Sequence, residues 1–474
     1  MTDRGTLLRR TAEIAADFLD RLPTRPVSRP VDLAKLRTAF GGALPDDPGD
    51  PGAVIEGLAQ AAEPGLVGSA GPRYFGFVIG GSLPAALAAD WLTSTWDQNG
   101  FLFVMSPAGA VVEETAARWL LDVFGLPAES SVGFVSGVSM ATFTGLAAGR
   151  HAVLSRVGWD VEADGYVGAP EVTVVVGGEA HASVSASLQM LGLGYNRVVR
   201  VPADEQGRMR ADALADAIGH MDGPTIVCTQ AGNVNTGAFD PLEPIVEAVR
   251  GRPNAWLHVD GAFGLWANAS TELRGRVAGV DGADSWATDA HKWLNVPYDS
   301  GIVIVRDAVA HRAAMTFGAA YYVDATGGER DGGNWVPESS RRVRGFAIYA
   351  ALASLGRNGI ADLVERCCRL ARRMADGLRA GEGVTILNEV VLNQILVRFT
   401  PPGGGDEAAT DDYTRRVIAA VQADGTCWLG GTTWHGMAAM RISVSNWSTT
   451  EADADISVEA ILRCAREAAA AVPA

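Results

Sequence analysis

Lysine is nearly absent from this sequence. Of the 39 lysines and arginines in 474 residues, Lys35 and Lys292 are the only lysines, which leaves 37 arginines. Cysteine is scarce too. Cys228, Cys367, Cys368, Cys427 and Cys464 are odd in number and lack C-x-x-C spacing, which argues against a disulfide framework or a zinc site and points to reduced thiols in the cytoplasm. Positive charge is in deficit, with a net charge of −16. An acidic surface disfavours nucleic acid and anionic membrane as partners, yet leaves room for a local basic pocket. No apolar run approaches the roughly 18 uncharged residues of a membrane span. The first residues, MTDRGTLLRRTAEIAADFLDRLP, are charged and amphipathic, unlike a signal peptide.

What the chain does have is 48% hydrophobic residues, enough for a large core divided among two or three domains. Helical patterns over about 5–22 and 52–62 flank a Pro/Gly/Asp-rich loop. Residues 1–69 are too few to bury a core of their own and are expected to dock on a partner subunit. From 70 to 344 the pattern alternates. AGAVVEETAARWLLDVFGL and GVSMATFTGLAAGRHAVLSRV have helical spacing, and EVTVVVGG, PTIVCTQAG, NAWLHVDGAFG and SGIVIVRD are short β-branched runs between turn residues. Uncharged strands alternating with helices predict an α/β domain on a mostly parallel sheet, buried on both faces. Residues 345–474 form a long helical pattern followed by a smaller α+β region, with VTILNEVVLNQILVRF and MAAMRISVSN as strands.

The retained lysine sits in 284-DSWATDAHKWLNVPYDSGIVIV-304. Arginine stays protonated, whereas lysine can lose its proton and attack a carbonyl to form a Schiff base. Upstream, WLHVDGAFG ends a strand at Asp260, where α/β sheets bind ligands. A carboxylate there can keep a pyridinium nitrogen protonated; alone, Asp260 is equally a solvated strand end. The turn in 133-GFVSGVSMATFTGLAAGR-150 opens a helix whose first N–H groups, at Val138 and Ser139, would cradle a phosphate. His181 follows a strand and is placed either to stack on a flat ring or to cap the next helix. His291 and Ser300 are further polar candidates.

In this order (Gly/Ser turn, His181, Asp260, His291-Lys292) the chain resembles the group II pyridoxal-phosphate-dependent amino acid decarboxylases. The resemblance runs from about 70 to 450 and includes RYFGFVIGGSLPAALAADWL, MSPAGAVVEETAARWL, GAFDP, HVDGA, HKW and RISVSNWSTT. It implies the aspartate aminotransferase-like fold type I, with a seven-stranded, mostly parallel sheet in the large domain. It implies pyridoxal 5'-phosphate held covalently by Lys292, with Asp260 at the ring nitrogen, His181 on one ring face and Ala262 on the other. Val138, Ser139, His291, Ser300 and Asn233 complete the expected cofactor set, and no metal is expected. It further implies decarboxylation of an L-amino acid through an external aldimine and a quinonoid, in a cytoplasmic homodimer with sites at the subunit interface. Phe77, Phe101, Phe103, Val234, Trp434 and Arg441 are the candidate substrate pocket, which leans towards an aromatic or apolar side chain; the aromatics are equally interface packing.

The chain departs from the family pattern twice. In 231-AGNVNTGAFDP-241, Val234 stands where the family usually has a threonine. In 327-GGERDGGNWVPESSRRVRG-345, Gly332 aligns with the loop tyrosine that helps protonate Cα, and the nearest tyrosines are Tyr321 and Tyr322. These departures keep aldehyde synthesis and carbon–carbon cleavage open as alternatives. A serine hydrolase built on Ser139, Asp260 and His291 is a remote alternative, since GVSMA fails G-x-S-x-G. A non-enzymatic binding protein would not need Lys292 and Asp260 together.

Overall fold

The computed structural model describes residues 3–317 and 328–470; Tyr321 and Tyr322 lie outside them. Helices α1 (Arg4–Arg21), α2 (Leu33–Phe40), α3 (Pro51–Ala62), α4 (Pro84–Trp96), α5 (Pro107–Phe124) and α6 (Val138–Ser155) precede or interleave with the first strand. The chain divides into two compact units, one of residues 80–371 and 388–395, the other of residues 1–79, 372–387 and 396–474.

The larger unit is built on β1 (Ser131–Val135), β2 (Thr173–Gly177), β3 (Val199–Val201), β4 (Thr225–Gln230), β5 (Ala255–Asp260), β6 (Ser285–Asp289) and β7 (Gly301–Val305). Their order in the sheet is β1-β7-β6-β5-β4-β2-β3. Strands β2 to β6 pair in parallel, and β7 runs antiparallel to both β6 and β1. Every strand but β7 therefore ends at the same edge. Strands β4, β5, β6 and β7 are buried along their whole length, as the uncharged runs predict for a sheet covered on both faces.

Helix α6 lies close to that sheet because its sequence places glycines four apart. A Cβ on Gly145 would stand 3.0 Å from His258 Nδ1, and one on Gly149 would stand 2.7 Å from Trp256. The indole N–H of Trp256 donates to Ser285 Oγ at 2.9 Å, and His258 Nδ1 lies 2.8 Å from the same hydroxyl. Burial pushes the His258 imidazole down to about 3, so the ring is neutral and accepts from Ser285. This network ties β5 to β6 and fixes the height of α6 above their ends. At the helix start, a Cβ on Gly301 would lie 2.5 Å from Gly137 Cα. The start of β7 thus touches the backbone that opens α6.

The smaller unit carries β8 (Val384–Ile386), β9 (Gln394–Phe399), β10 (Gly430–Trp434) and β11 (Met437–Ser443), in the order β10-β11-β9-β8. β8–β9 and β10–β11 are antiparallel. The segment VTILNEVVLNQILVRF is thus two strands rather than one. Between them Asn388 Nδ2 donates to the carbonyls of Thr236 and Gln394, at 3.0 Å each, which turns the chain out of extended pairing. Tyr74 stacks on Trp428 with centroids 4.9 Å apart. None of α1, α2 or α3 has a buried residue. The helix Gly345–Arg379 is broken at Gly356, whose φ of 61° is left-handed.

Gly301→Ala should cost about 1–3 kcal/mol, because the new methyl overlaps Gly137 backbone rather than a side chain that can swing away. Denaturant unfolding checks this, and an unchanged midpoint would mean that the two loops part freely.

Candidate active site

Strand direction gathers the candidate residues of the larger unit. β5 ends on Asp260, β6 ends on Asp289, and Lys292 follows three residues later. β1 leads into Gly137 and α6, and β2 leads into His181. All of these lie at the carboxyl edge, where α/β sheets bind ligands.

Lys292 is shallowly buried, with its side chain 15% exposed, and its Nζ lies 3.0 Å from Asp289 Oδ2. The Asp289 carboxylate is itself only 1% exposed. Its Oδ1 accepts the Val138 N–H at 2.6 Å and lies 3.6 Å from His291 Nε2. The Ser300 N–H donates to His291 Nδ1 at 3.3 Å, so that nitrogen bears no proton. Burial lowers the His291 pKa, against the pull of Asp289. The neutral ring therefore carries its proton on Nε2, towards Asp289 and the start of α6. Ser300 is buried, and its hydroxyl has no hydrogen-bond partner. The lysine loop is fixed from outside: Asn295, at a left-handed φ of 55°, accepts the Gly81 N–H on Oδ1 at 2.6 Å. Gly80 packs so tightly that a Cβ there would meet the Lys292 carbonyl at 2.0 Å.

Asp260 is held by its own turn. Oδ1 accepts the Ala262 N–H at 3.1 Å, and Ser183 Oγ lies 3.4 Å from Oδ2. The Ala262 carbonyl accepts the Asp289 N–H at 2.9 Å, joining the Asp260 turn to the end of β6. His181 is the N-cap of helix Ala182–Met190. Its Nδ1 accepts the Ser183 N–H at 3.2 Å and lies 2.8 Å from Ser183 Oγ. Ser183 thus links His181 to Asp260. Ser139 is exposed in the first turn of α6. Asn233 shapes its own loop, with Oδ1 accepting from the N–H groups of Asn235 and Thr236 at 2.8 and 3.2 Å, and its buried Nδ2 has no partner. Val234 is half-buried beside it.

The substrate-pocket candidates divide between the units. Phe101, Phe103 and Val234 belong to the larger one, and Phe77, Trp434 and Arg441 to the smaller. Phe77 is 58% exposed, and Trp434 is buried at the end of β10. Arg441 lies on β11, where burial lowers its pKa.

The Gly-rich segment is packed from Arg330 onward. Gly333 N–H donates to the Phe101 carbonyl at 2.8 Å, and Asp331 Oδ1 accepts the Phe103 N–H at 2.7 Å. A Cβ on Gly332 would lie 2.0 Å from Arg341 Nη2, so a side chain cannot stand there without displacing the arginine. Arg341 makes two bonds to Glu113, at 2.8 and 2.7 Å, and a third to the Gly100 carbonyl at 2.7 Å. Both members of the pair are 1% exposed. Arg330 is buried alongside with its guanidinium over Trp335, and burial pushes it down to about 10.

Ser183, Asp289 and Glu113 are the residues that sequence reasoning missed. Asp289 carried a usable signal, an acid three residues before the lysine at the end of a short strand; Ser183 and Glu113 carried none.

A family model described as the pyridoxal-dependent decarboxylase conserved domain matches residues 34–400. The chain belongs to this family. An aromatic-L-amino-acid decarboxylase of Bacillus atrophaeus is 25% identical over 447 residues, covering 93% of this chain and 91% of that protein. The crystal structure of Oryza sativa TDC with PLP and tryptamine superposes with a TM-score of 0.90 at 21% identity, covering 98% of this chain and 97% of the other. That of Rhodiola rosea 4-hydroxyphenylacetaldehyde synthase does so with a TM-score of 0.85, also at 21%, covering 98% and 99%. At that identity the structural likeness establishes the fold, which is that of the PLP-dependent enzymes of type I.

This pyridoxal-dependent decarboxylase is therefore a PLP-dependent carboxy-lyase acting on an amino acid. Its residues fit the cofactor chemically. The orphan Ser300 hydroxyl and Asn233 amide are unspent donors, and Lys292 is a shielded amine within reach of solvent.

Glu113→Gln should destabilise the decarboxylase by about 3–5 kcal/mol, because it leaves a buried guanidinium without its counter-charge. A loss below about 1 kcal/mol in equilibrium unfolding, the range of exposed pairs, would mean that water reaches the pair.

Proposed function

We propose that this site removes CO2 from an L-amino acid with an aromatic or other apolar side chain, using Lys292, Asp260 and His181. The observation that carries the reading is the convergence of a shielded lysine and a strand-end carboxylate at one sheet edge. Bound pyridoxal phosphate supplies an electron sink for the pair left at Cα when CO2 departs. Asp260 holds a proton at the ring nitrogen, which keeps that sink effective. His181 covers one ring face, fixed through Ser183, and Ala262 packs the other. The N–H groups of Val138 and Ser139, with Ser300 and the Nε2–H of His291, hold the phosphate, and Asn233 contacts the cofactor elsewhere. Lys292 carries the cofactor, yields to the substrate amine, and, once protonated, can return that proton to Cα.

Phe101 and Phe103, both in the larger unit, favour an apolar substrate side chain. A second reading has a specific observation behind it. Val234 cannot hydrogen-bond with its side chain, and Gly332 has no room for a tyrosine, so these positions offer no group to protonate Cα. Poor protonation would divert the same site to an aldehyde or to carbon–carbon cleavage.

The enzyme acts as a homodimer in the cytoplasm, with residues 1–69 docked on the partner subunit, residues 70–344 as the cofactor domain and residues 345–474 as the small domain. The support for docking is that α1, α2 and α3 bury nothing of their own, while Leu8, Leu33, Phe40, Val54 and Leu58 stand exposed on them. Among the described residues no helix is long and apolar enough to cross a membrane.

A panel of amino acids assayed for CO2, amine, ammonia, peroxide, aldehyde and carbon–carbon cleavage tests the reading. CO2 and amine should appear in equal amounts from aromatic or apolar substrates without peroxide, and Lys292→Ala should lose both turnover and the visible absorbance of the bound cofactor. Peroxide with aldehyde would install the second reading, and cleavage of β-hydroxy amino acids without CO2 release would overturn decarboxylation.

A further inference from the structure

Asp289 puts a negative charge into the pocket assigned to a phosphate. Its Oδ1 takes the Val138 N–H, the first of α6, at 2.6 Å, and its Oδ2 takes Lys292 Nζ at 3.0 Å. The cofactor demands both of these partners. Its phosphate needs the helix N–H groups, and its aldehyde carbon forms a bond to Lys292 Nζ with release of one water. The pocket is otherwise suited to an anion. The buried Ser300 hydroxyl lacks a partner beside Gly301, which packs against Gly137 at the start of the same 18-residue helix, and His291 turns its Nε2 towards this point. A carboxylate only 1% exposed next to a phosphate dianion is a like-charge pair that burial makes worse.

We propose that Asp289 competes with the cofactor's phosphate for the N-terminus of α6, so that the chain holds its own cofactor affinity down. The inference rests on placing the phosphate at that helix. As the phosphate arrives, Asp289 gives up the Val138 N–H; as Lys292 becomes covalently bound, Asp289 loses its cationic partner. Asp289→Asn and Asp289→Ser remove the charge, one keeping the shape and the other shrinking it.

Cofactor-stripped wild type and both variants are titrated with pyridoxal 5'-phosphate and with pyridoxal, which lacks the phosphate, by quenching of tryptophan fluorescence. Circular dichroism confirms the fold of each. The Kd for pyridoxal phosphate should fall in both variants, by roughly fivefold or more beyond any change in that for pyridoxal. Equal shifts for the two ligands would overturn the proposal, because Asp289 would then act on Lys292 alone. Weaker or unchanged binding of pyridoxal phosphate would overturn it, and so would a gain confined to the Asn variant, which would assign the effect to a new amide donor. A wild type that does not prefer pyridoxal phosphate over pyridoxal would instead remove the phosphate from α6 altogether.

Discussion

A lysine is held below the surface at little cost only where a counter-charge shares its burial, and Asp289 supplies that charge at 3.0 Å from Lys292. The rest of the larger unit serves this contact. Asp289 is placed by the end of β6, and its N–H is tied to the Ala262 carbonyl of the turn that presents Asp260. Its second oxygen reaches α6, whose height is set by Gly145 and Gly149 against β5. The lysine loop is pinned behind by Gly80 and Asn295. Moving any of these strands by one residue would reverse the side chains at its end and separate the acid from the amine.

Much of the fold was legible because burial on both faces leaves a strong pattern. TIVCTQ, AWLHVD and GIVIV, uncharged except for a terminal acid, read as covered strands and are covered strands. Less regular elements escaped. β3 has three residues, β1 has a central glycine, and β6, SWATD, mixes polar and apolar side chains although all five are buried. The polar residues of β6 are there for the site: Ser285 serves Trp256 and His258, and Asp289 serves Lys292. Helix α2 lay between two proline-rich stretches and gave no signal.

The candidate site was readable where chemistry restricts residue choice. Lysine in an arginine-rich chain and an acid at a strand end are such cases. His181 caps a helix, one of the two readings offered for it. Contacts between residues far apart in sequence were invisible. Glu113 and Arg341 are 228 positions apart, and only the folded chain reveals that Arg341 excludes a side chain at Gly332. Membership of the decarboxylase family determines the cofactor and the class of reaction.

The central claim is that Lys292 carries the cofactor, and the scarcity of lysine makes it directly testable. Holoenzyme is treated with borohydride, digested, and mapped by mass spectrometry. The phosphopyridoxyl mass should sit on the peptide containing Lys292 and be absent from the peptide containing Lys35. Label on Lys35, or no lysine label on protein that retains the cofactor, would contradict the account.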